Sequence, residues 1–383
     1  MFFNRVVYII ISAAAVAAFL ITDSSVALFL CICLAVLPVL SLVMLSVAAK
    51  RVRFDYEMRE SCIRGQALQI TMNASVKPRF LVGSVQVVMD VENSTFHKIH
   101  RKKFQFKDLT GSEHVYDFVS SDSGRIDAHV KSVRLIDIFG VCSISVNYPK
   151  FSESIVSPVL YEDATVTVGR GRTSSSGEIS LPEKGYDNSE IFGVRDYVSG
   201  DSLRAIHWKL SSRFDTLKTK EFGSSYDHQT LILVDMSRFK GGAKASDEQL
   251  NAVLDTAISI SHSLKESGYL HSIGWFDEGT FRSSEVSDGE TFVGAVSALM
   301  SIKVSEQDEK CLLFLSRVPE SAAFNKIIYV TTASTEEERH EHFLGSVTEV
   351  CVGKESGVAD GGGVKVVNMN YEDIGSQLMQ CEL

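Results

Sequence analysis

The sequence has no surplus of positive charge. Its 38 Lys and Arg stand against 48 Asp and Glu, a net charge of −10, so it lacks the basic face that neutralises nucleic-acid phosphates, and nucleic acid is excluded as a partner. The seven cysteines form neither a disulfide framework nor a ligand-spaced pair: Cys31 and Cys33 fall inside an apolar run and the other five are scattered. That agrees with a reduced, cytosolic compartment. Catalytic signatures are missing as well, with no G-x-S-x-G, no G-x-x-x-x-G-K-[ST], no H-E-x-x-H and no C-x-x-C. The run "GRGRTS" lacks the third glycine of a dinucleotide fingerprint, and "DGGGVK" leads into a strand rather than a helix, so both read as turns. No internal repeat is visible.

What is there begins with two apolar runs. Residues 6–21 and 26–49 contain no charged side chain. At ~1.5 Å per residue the second spans roughly 36 Å, more than the ~30 Å hydrocarbon core of a bilayer, and the first is close to that length. Four residues, "TDSS", join them, which predicts a tight transmembrane hairpin with Pro38 as the place for a kink in the second span. Arg5 precedes the first span, Lys50, Arg51 and Arg53 follow the second, and the turn carries only Asp23. The positive-inside rule then puts both ends and the soluble domains in the cytoplasm, on a multi-pass protein of the cell membrane with two helices. A cleaved signal peptide is the competing reading, and it lacks a small-residue cleavage site between the runs.

Beyond the hairpin, 45% hydrophobic and 22% charged residues predict folded domains. Residues 51–160 alternate apolar and polar side chains over strand-length segments separated by turn residues, the pattern of an all-β sandwich. Residues 161–225 read as a linker followed by a motif, the linker being the Gly- and Ser-rich stretch 169–190. Residues 226–383 alternate continuous apolar strands with amphipathic helices, which predicts a Rossmann-like α/β domain on a parallel sheet. Helices are expected at 246–268, 290–302 and 334–346, and strands at 230–237, 270–277, 326–332, 347–353 and 364–369.

Chemistry is densest in "RDYVSGDSLRAIHWKLSSR", residues 195–213. Leu203, Ile206 and Leu210 recur at helical spacing, with Asp201 or Ser202 as N-cap. His207 could act as a general base oriented by Asp201, yet no nucleophile with a recognisable context accompanies it. Arg195, Arg204, Lys209 and Arg213, interleaved with Asp196, Asp201 and Asp215, suit a charge-paired network better, one that joins domains or docks a partner. A second place of interest is "LVDMSRF", where Asp235 ends a buried strand and, with Ser237, offers hard oxygen ligands to a divalent cation. The alternative there is that Asp235 bonds backbone N–H groups at the strand end.

The stretch "VRDYVSGDSLRAIHWKLSSR...LKTKEF" resembles the signature of the domain of unknown function 58 (DUF 58) family. Arg195, Tyr197, Gly200, Asp201, Arg204, Ile206, His207, Trp208, Lys209, Arg213, Leu217, Lys220 and Phe222 match it. The resemblance implies a bacterial or archaeal membrane protein with a C-terminal domain like that of von Willebrand factor A. It also implies a MoxR-type AAA+ ATPase and a transglutaminase-like membrane protein as partners, and no known reaction. Von Willebrand A domains hold Mg²⁺ through D-x-S-x-S. Here Asp235 and Ser237 fill two positions, Phe239 replaces the second serine, and Thr332 stands near the place of a later aspartate, so the site reads as a degenerate remnant. The expectation is a non-enzymatic scaffold or adaptor in envelope assembly or stress response, without cofactor or metal and with residues 195–213 as its clasp. A hydrolase centred on His207 and Asp201 and a cation-dependent binder are the contrasting expectations.

Overall fold

In the computed structural model the described residues are 2–77, 82–148, 150–167, 191–197, 206–214, 216–222, 229–307, 310–319, 321, 324–333, 346–361, 364–379 and 381–382. Helices α1 (Phe2–Thr22) and α2 (Ser25–Ala49) pack as an antiparallel pair. The turn between them works because Asp23 takes a positive φ of 44° and the Ser24 side chain accepts the Val26 N–H, capping α2. Both helices are long and apolar enough to cross a membrane, and only 6% of either span is buried within the protein. The buried positions of α2, Ser41, Leu45 and Ala48, lie toward its C-terminal end, where it meets the next unit.

That unit is β-rich: β1 (Val52–Met58), β2 (Ser61–Ile63), β3 (Ala67–Val76), β4 (Ser84–Asn93), β5 (Lys98–Phe106), β6 (Thr110–Val119), β7 (Gly124–Ile136), β8 (Ser143–Val146) and β9 (Phe151–Ser157). One sheet runs β1-β3-β6; the other runs β2-β9-β7-β4-β5 with β8 paired to β7. The alternation in the sequence is the alternation of burial. In β3, Leu68, Ile70, Met72, Ala74 and Val76 point inward and polar side chains outward. Phe54 and Ile70 from the first sheet share one core with Val85, Val87, Ile126 and Leu135 from the second.

The C-terminal unit holds β10 (Val166–Thr167), β13 (Gln229–Val234), β14 (Phe239–Lys240), β15 (Ala243–Lys244), α4 (Asp247–Glu266), β16 (His271–Asp277), β17 (Thr280–Val286), α5 (Gly289–Leu299), α6 (Cys311–Leu315), β18 (Phe324–Thr331), β19 (Ser346–Gly353), β20 (Gly357–Gly361), β21 (Val364–Asn370), α7 (Ile374–Leu378) and β22 (Cys381–Glu382). Between β10 and β13 lie the motif's elements, β11 (Ile191–Asp196), α3 (Trp208–Phe214) and β12 (Lys218–Phe222). The main sheet has the order β17-β16-β13-β18-β19-β21-β20.

Its five central strands are parallel, as expected, but both edges are antiparallel hairpin partners, β17 on β16 and β20 on β21. The sheet is therefore mixed rather than parallel. β17 has only Val286 buried among mostly exposed side chains, so its sequence carries no continuous apolar signal. The α4 expectation holds closely: Ser246 is the N-cap and Gln249 completes a capping box. The expected helix at 334–346 and the linker at 169–190 lie outside the described residues. Of the helix expected from Leu203 onward, Leu203 and the cap candidates Asp201 and Ser202 lie outside the described residues; α3 covers Trp208–Phe214, and Ile206 bridges to Thr219 on β12. Residues 158–167, divided by the expected boundary at 160, are docked along α4, and β10 pairs with β22 at the far end of the chain.

Candidate functional site

The signature motif folds on itself. β11 and β12 form a two-stranded antiparallel pair with Arg195 opposite Thr219, and α3 is inserted between them. The Tyr197 N–H donates to Leu217 O at 2.9 Å and the His207 N–H to Lys218 O at 2.8 Å. Ser211 Oγ donates to His207 O at 3.1 Å and accepts the Lys218 N–H at 2.9 Å. His207 is the residue before α3, and its Nδ1 accepts the Leu210 N–H at 3.2 Å, the geometry of a helix N-cap. Nδ1 is thus turned to backbone. Trp208 is 65% exposed, and Lys209 and Arg213 are exposed beside it. Gly200, Asp201 and Arg204 lie outside the described residues.

Asp235 follows β13, whose neighbours are the next parallel strand on one side and a later one, β18, on the other. It therefore stands at the sheet's topological switch point, at the carboxyl ends of the strands. Its carboxylate is saturated. Oδ1 accepts the Ser237 N–H at 2.9 Å and Ser237 Oγ–H at 2.5 Å. Oδ2 accepts Tyr329 OH at 2.5 Å and Thr331 Oγ1 at 3.3 Å and lies 2.9 Å from Lys240 Nζ.

Asp235 and Lys240 are each 1% exposed. Lys240 reaches the site because β14 and β15 form a tight hairpin through Gly241 and Gly242, both at positive φ of 57° and 82°, a turn that only glycine-like residues close without strain. Burial alone would raise the Asp235 carboxyl, but the Lys240 charge with the Ser237, Tyr329 and Lys240 hydrogen bonds holds it below the usual carboxylate range. A divalent cation does not fit here, because an ammonium already sits where the cation would meet Asp235. Phe239, in the place of the second serine, is 37% exposed, and Thr331, the residue before Thr332, turns to the carboxylate.

The contact between the β-rich and α/β units lies elsewhere, on α4. Asp247, Asn251, Asp255, Ser259 and Ser263 recur every fourth residue and form one stripe along the helix. Asp247 pairs with Lys98 at 2.7 Å. Asn251 accepts the Ser123 N–H at 2.8 Å and donates to Asp122 at 2.9 Å. Asp255 takes a two-pronged contact from Arg64 at 3.1 and 2.5 Å and the Val159 N–H at 2.9 Å. Ser259 accepts the Tyr161 N–H and Ser263 the Val166 N–H. Burial pushes the Asp255 carboxyl above its ordinary range, against the pull of Arg64 and the Val159 N–H.

Beside the stripe, the turn after β4 inserts Phe96 into the α/β core, and Thr95 donates to Met300 O at 3.0 Å while its carbonyl accepts the Val304 N–H. The sequence signal for this joint was present as the i, i+4 recurrence of short polar residues, but it reads equally as a solvated helix face. Residues 250–261 are buried without interruption, so α4 is covered on the side that periodicity leaves to water.

The comparisons with known proteins bear on this region. The family described as "Protein of unknown function DUF58" matches residues 193–312, which include the motif, Asp235, Lys240 and α4. The chain is also similar to an uncharacterized protein, YeaD, of Bacillus subtilis (strain 168), at 27% identity over 153 residues. That stretch is 40% of this chain and 36% of the relative, so the chain spans about a third of the length of the relative it matches. No solved structure matches the chain.

Proposed function

We propose that the protein is a membrane-tethered, cytosol-facing scaffold or adaptor whose signature motif is a docking surface for a partner. The observation that carries this reading is Trp208, 65% exposed on a helix whose hydrogen bonds, among the described residues, close within its own motif. An exposed tryptophan flanked by Lys209 and Arg213 has the composition of an interface anchor. The apolar hairpin supports tethering, and Arg5, Lys50, Arg51 and Arg53 at its ends support a cytoplasmic orientation. The strand order, with its antiparallel edge β17 and its switch at β13, supports a C-terminal unit of the von Willebrand A type. In that unit the Asp235–Lys240 pair takes the place of a bridging cation, which favours a fixed scaffold over cation-dependent adhesion.

The partner follows from the family resemblance alone: a MoxR-type AAA+ ATPase, with a transglutaminase-like membrane protein as a second component, in envelope assembly or stress response. Affinity purification of the full chain from membranes, with and without ATP, tests the proposal. Recovery of an AAA+ ATPase in one nucleotide state is expected, and its absence in both would count against an adaptor.

A further inference from the structure

We propose that a basic cavity at the foot of the hairpin binds the phosphate of an anionic lipid headgroup, an inference that rests on the membrane-tethered reading above. The cavity, of about 450 Å³, is lined by Lys103, Lys107, Arg134, Gln86, Gln105 and Asn4, among others. Strand pairing builds it: Gln105 on β5, Gln86 on β4 and Arg134 on β7 stand in one row. Lys103 lies two residues from Gln105 on the same outward face, opposite the buried Phe106, Val85, Val87 and Leu135. Among the described residues no ion pair is formed by Lys103, Lys107 or Arg134. The carboxylate in the wall, Asp137, is engaged elsewhere, accepting Ser41 Oγ–H at 2.8 Å and the Cys142 N–H at 3.1 Å. Three cations therefore line one polar hollow of an acidic protein together with three neutral amides, of which Asn4 Nδ2 and Gln105 Nε2 each give one hydrogen bond to the protein, to Phe139 O and Ser84 Oγ; the cations are the donors suited to phosphate oxygens.

The cavity's position selects the lipid as the source. Asn4 Nδ2 donates to Phe139 O and Arg5 Nε to Val141 O, each at 2.9 Å. These bonds pin the loop after β7 against the first turn of α1, where the apolar run begins. Gly140, at φ +70°, allows this closeness, since a Cβ there would lie 2.5 Å from Asn4 Nδ2. In the same loop Ile138 is 62% exposed and Phe139 56%, two apolar side chains continuous with the lipid-facing helices. A phosphate at the membrane surface lies at the depth of this cavity, and anionic headgroups concentrate on the cytoplasmic leaflet.

The experiment uses the full chain in neutral detergent, with binding followed by native mass spectrometry. Phosphatidylglycerol, phosphatidylcholine and inorganic phosphate are the probes, and flotation with phosphatidylcholine vesicles is run in parallel. The wild type should bind phosphatidylglycerol in preference to phosphatidylcholine. Lys103→Gln and Arg134→Gln, both exposed and remote from the core, should each weaken that binding roughly fivefold while far-UV circular dichroism and flotation stay unchanged. Equal binding of the two lipids, or no loss in the variants, would overturn the proposal and leave tethering intact. Binding of inorganic phosphate as strong as that of phosphatidylglycerol would overturn the lipid assignment. A chain that fails to float would overturn tethering and, with it, this inference.

Discussion

Lys240 is the residue on which the α/β unit turns. A lysine 1% exposed is rare unless paired, and here it neutralises a carboxylate that four further hydrogen bonds also hold. Lys240→Ala leaves Asp235 charged and buried, and should lower stability by about 3 kcal/mol, read as a fall in the thermal midpoint of the detergent-solubilised chain. Magnesium should leave the wild-type midpoint unmoved, since the ammonium already meets Asp235. The sign of the pH effect follows from the depressed Asp235 carboxyl. Its contribution is present above the ordinary carboxylate range and is lost as pH falls through the lower, folded value.

His207 permits a sharper discrimination. As an N-cap its ring can be replaced by asparagine with little loss, whereas His207→Ala should cost about 1 kcal/mol, measured by thermal unfolding. A catalytic base would tolerate neither change in an activity assay. The sequence made Asp235 legible as a special carboxylate, because an aspartate ending a buried strand is unusual. It did not disclose Lys240, five positions on, because only the Gly-Gly hairpin brings that side chain back over the strand end.

Among the elements, α4 carries the most. Its start was readable residue by residue from Ser246, Asp247, Glu248 and Gln249, and its sheet-facing side from Leu250, Val253, Leu254 and Ala257. The opposite side was not, since a polar stripe looks the same whether water or another domain covers it. Two substitutions separate these cases. Arg64→Ala should cost about 3 kcal/mol, because it strands a carboxylate 1% exposed. Without Arg64 the Asp255 carboxyl rises further, so protonation relieves the burial, and the deficit should shrink on going from neutral to mildly acidic pH. Unfolding midpoints of wild type and variant at both ends of that range check this, and a constant gap would contradict it. Asn251→Ala should release the turn at 120–124, seen as faster amide exchange in that segment alone.

At the scale of the whole molecule, a helical hairpin, a β-rich body and an α/β body are joined in series, and both joints carry polar contacts beside apolar ones. The hairpin meets the β-rich unit through Asn4, Arg5 and Ser41, and that unit meets α4 through Arg64, Lys98 and Asp122. The three-part order was legible from hydropathy and period. The joints were not, because each pairs residues roughly a hundred or more positions apart that no local pattern links. The signature motif at 195–213 was expected to serve as a clasp; among the described residues, the two large bodies meet through α4 and the turn after β4. The motif's described hydrogen bonds close on themselves and Trp208 is exposed, the two features on which the proposed docking role rests.

The most direct test replaces Trp208 with a photo-crosslinking amino acid in the full chain and irradiates membranes with and without ATP. An adduct containing an AAA+ ATPase in one nucleotide state is the predicted result. No adduct, or one only within the chain itself, would contradict a docking role for the motif.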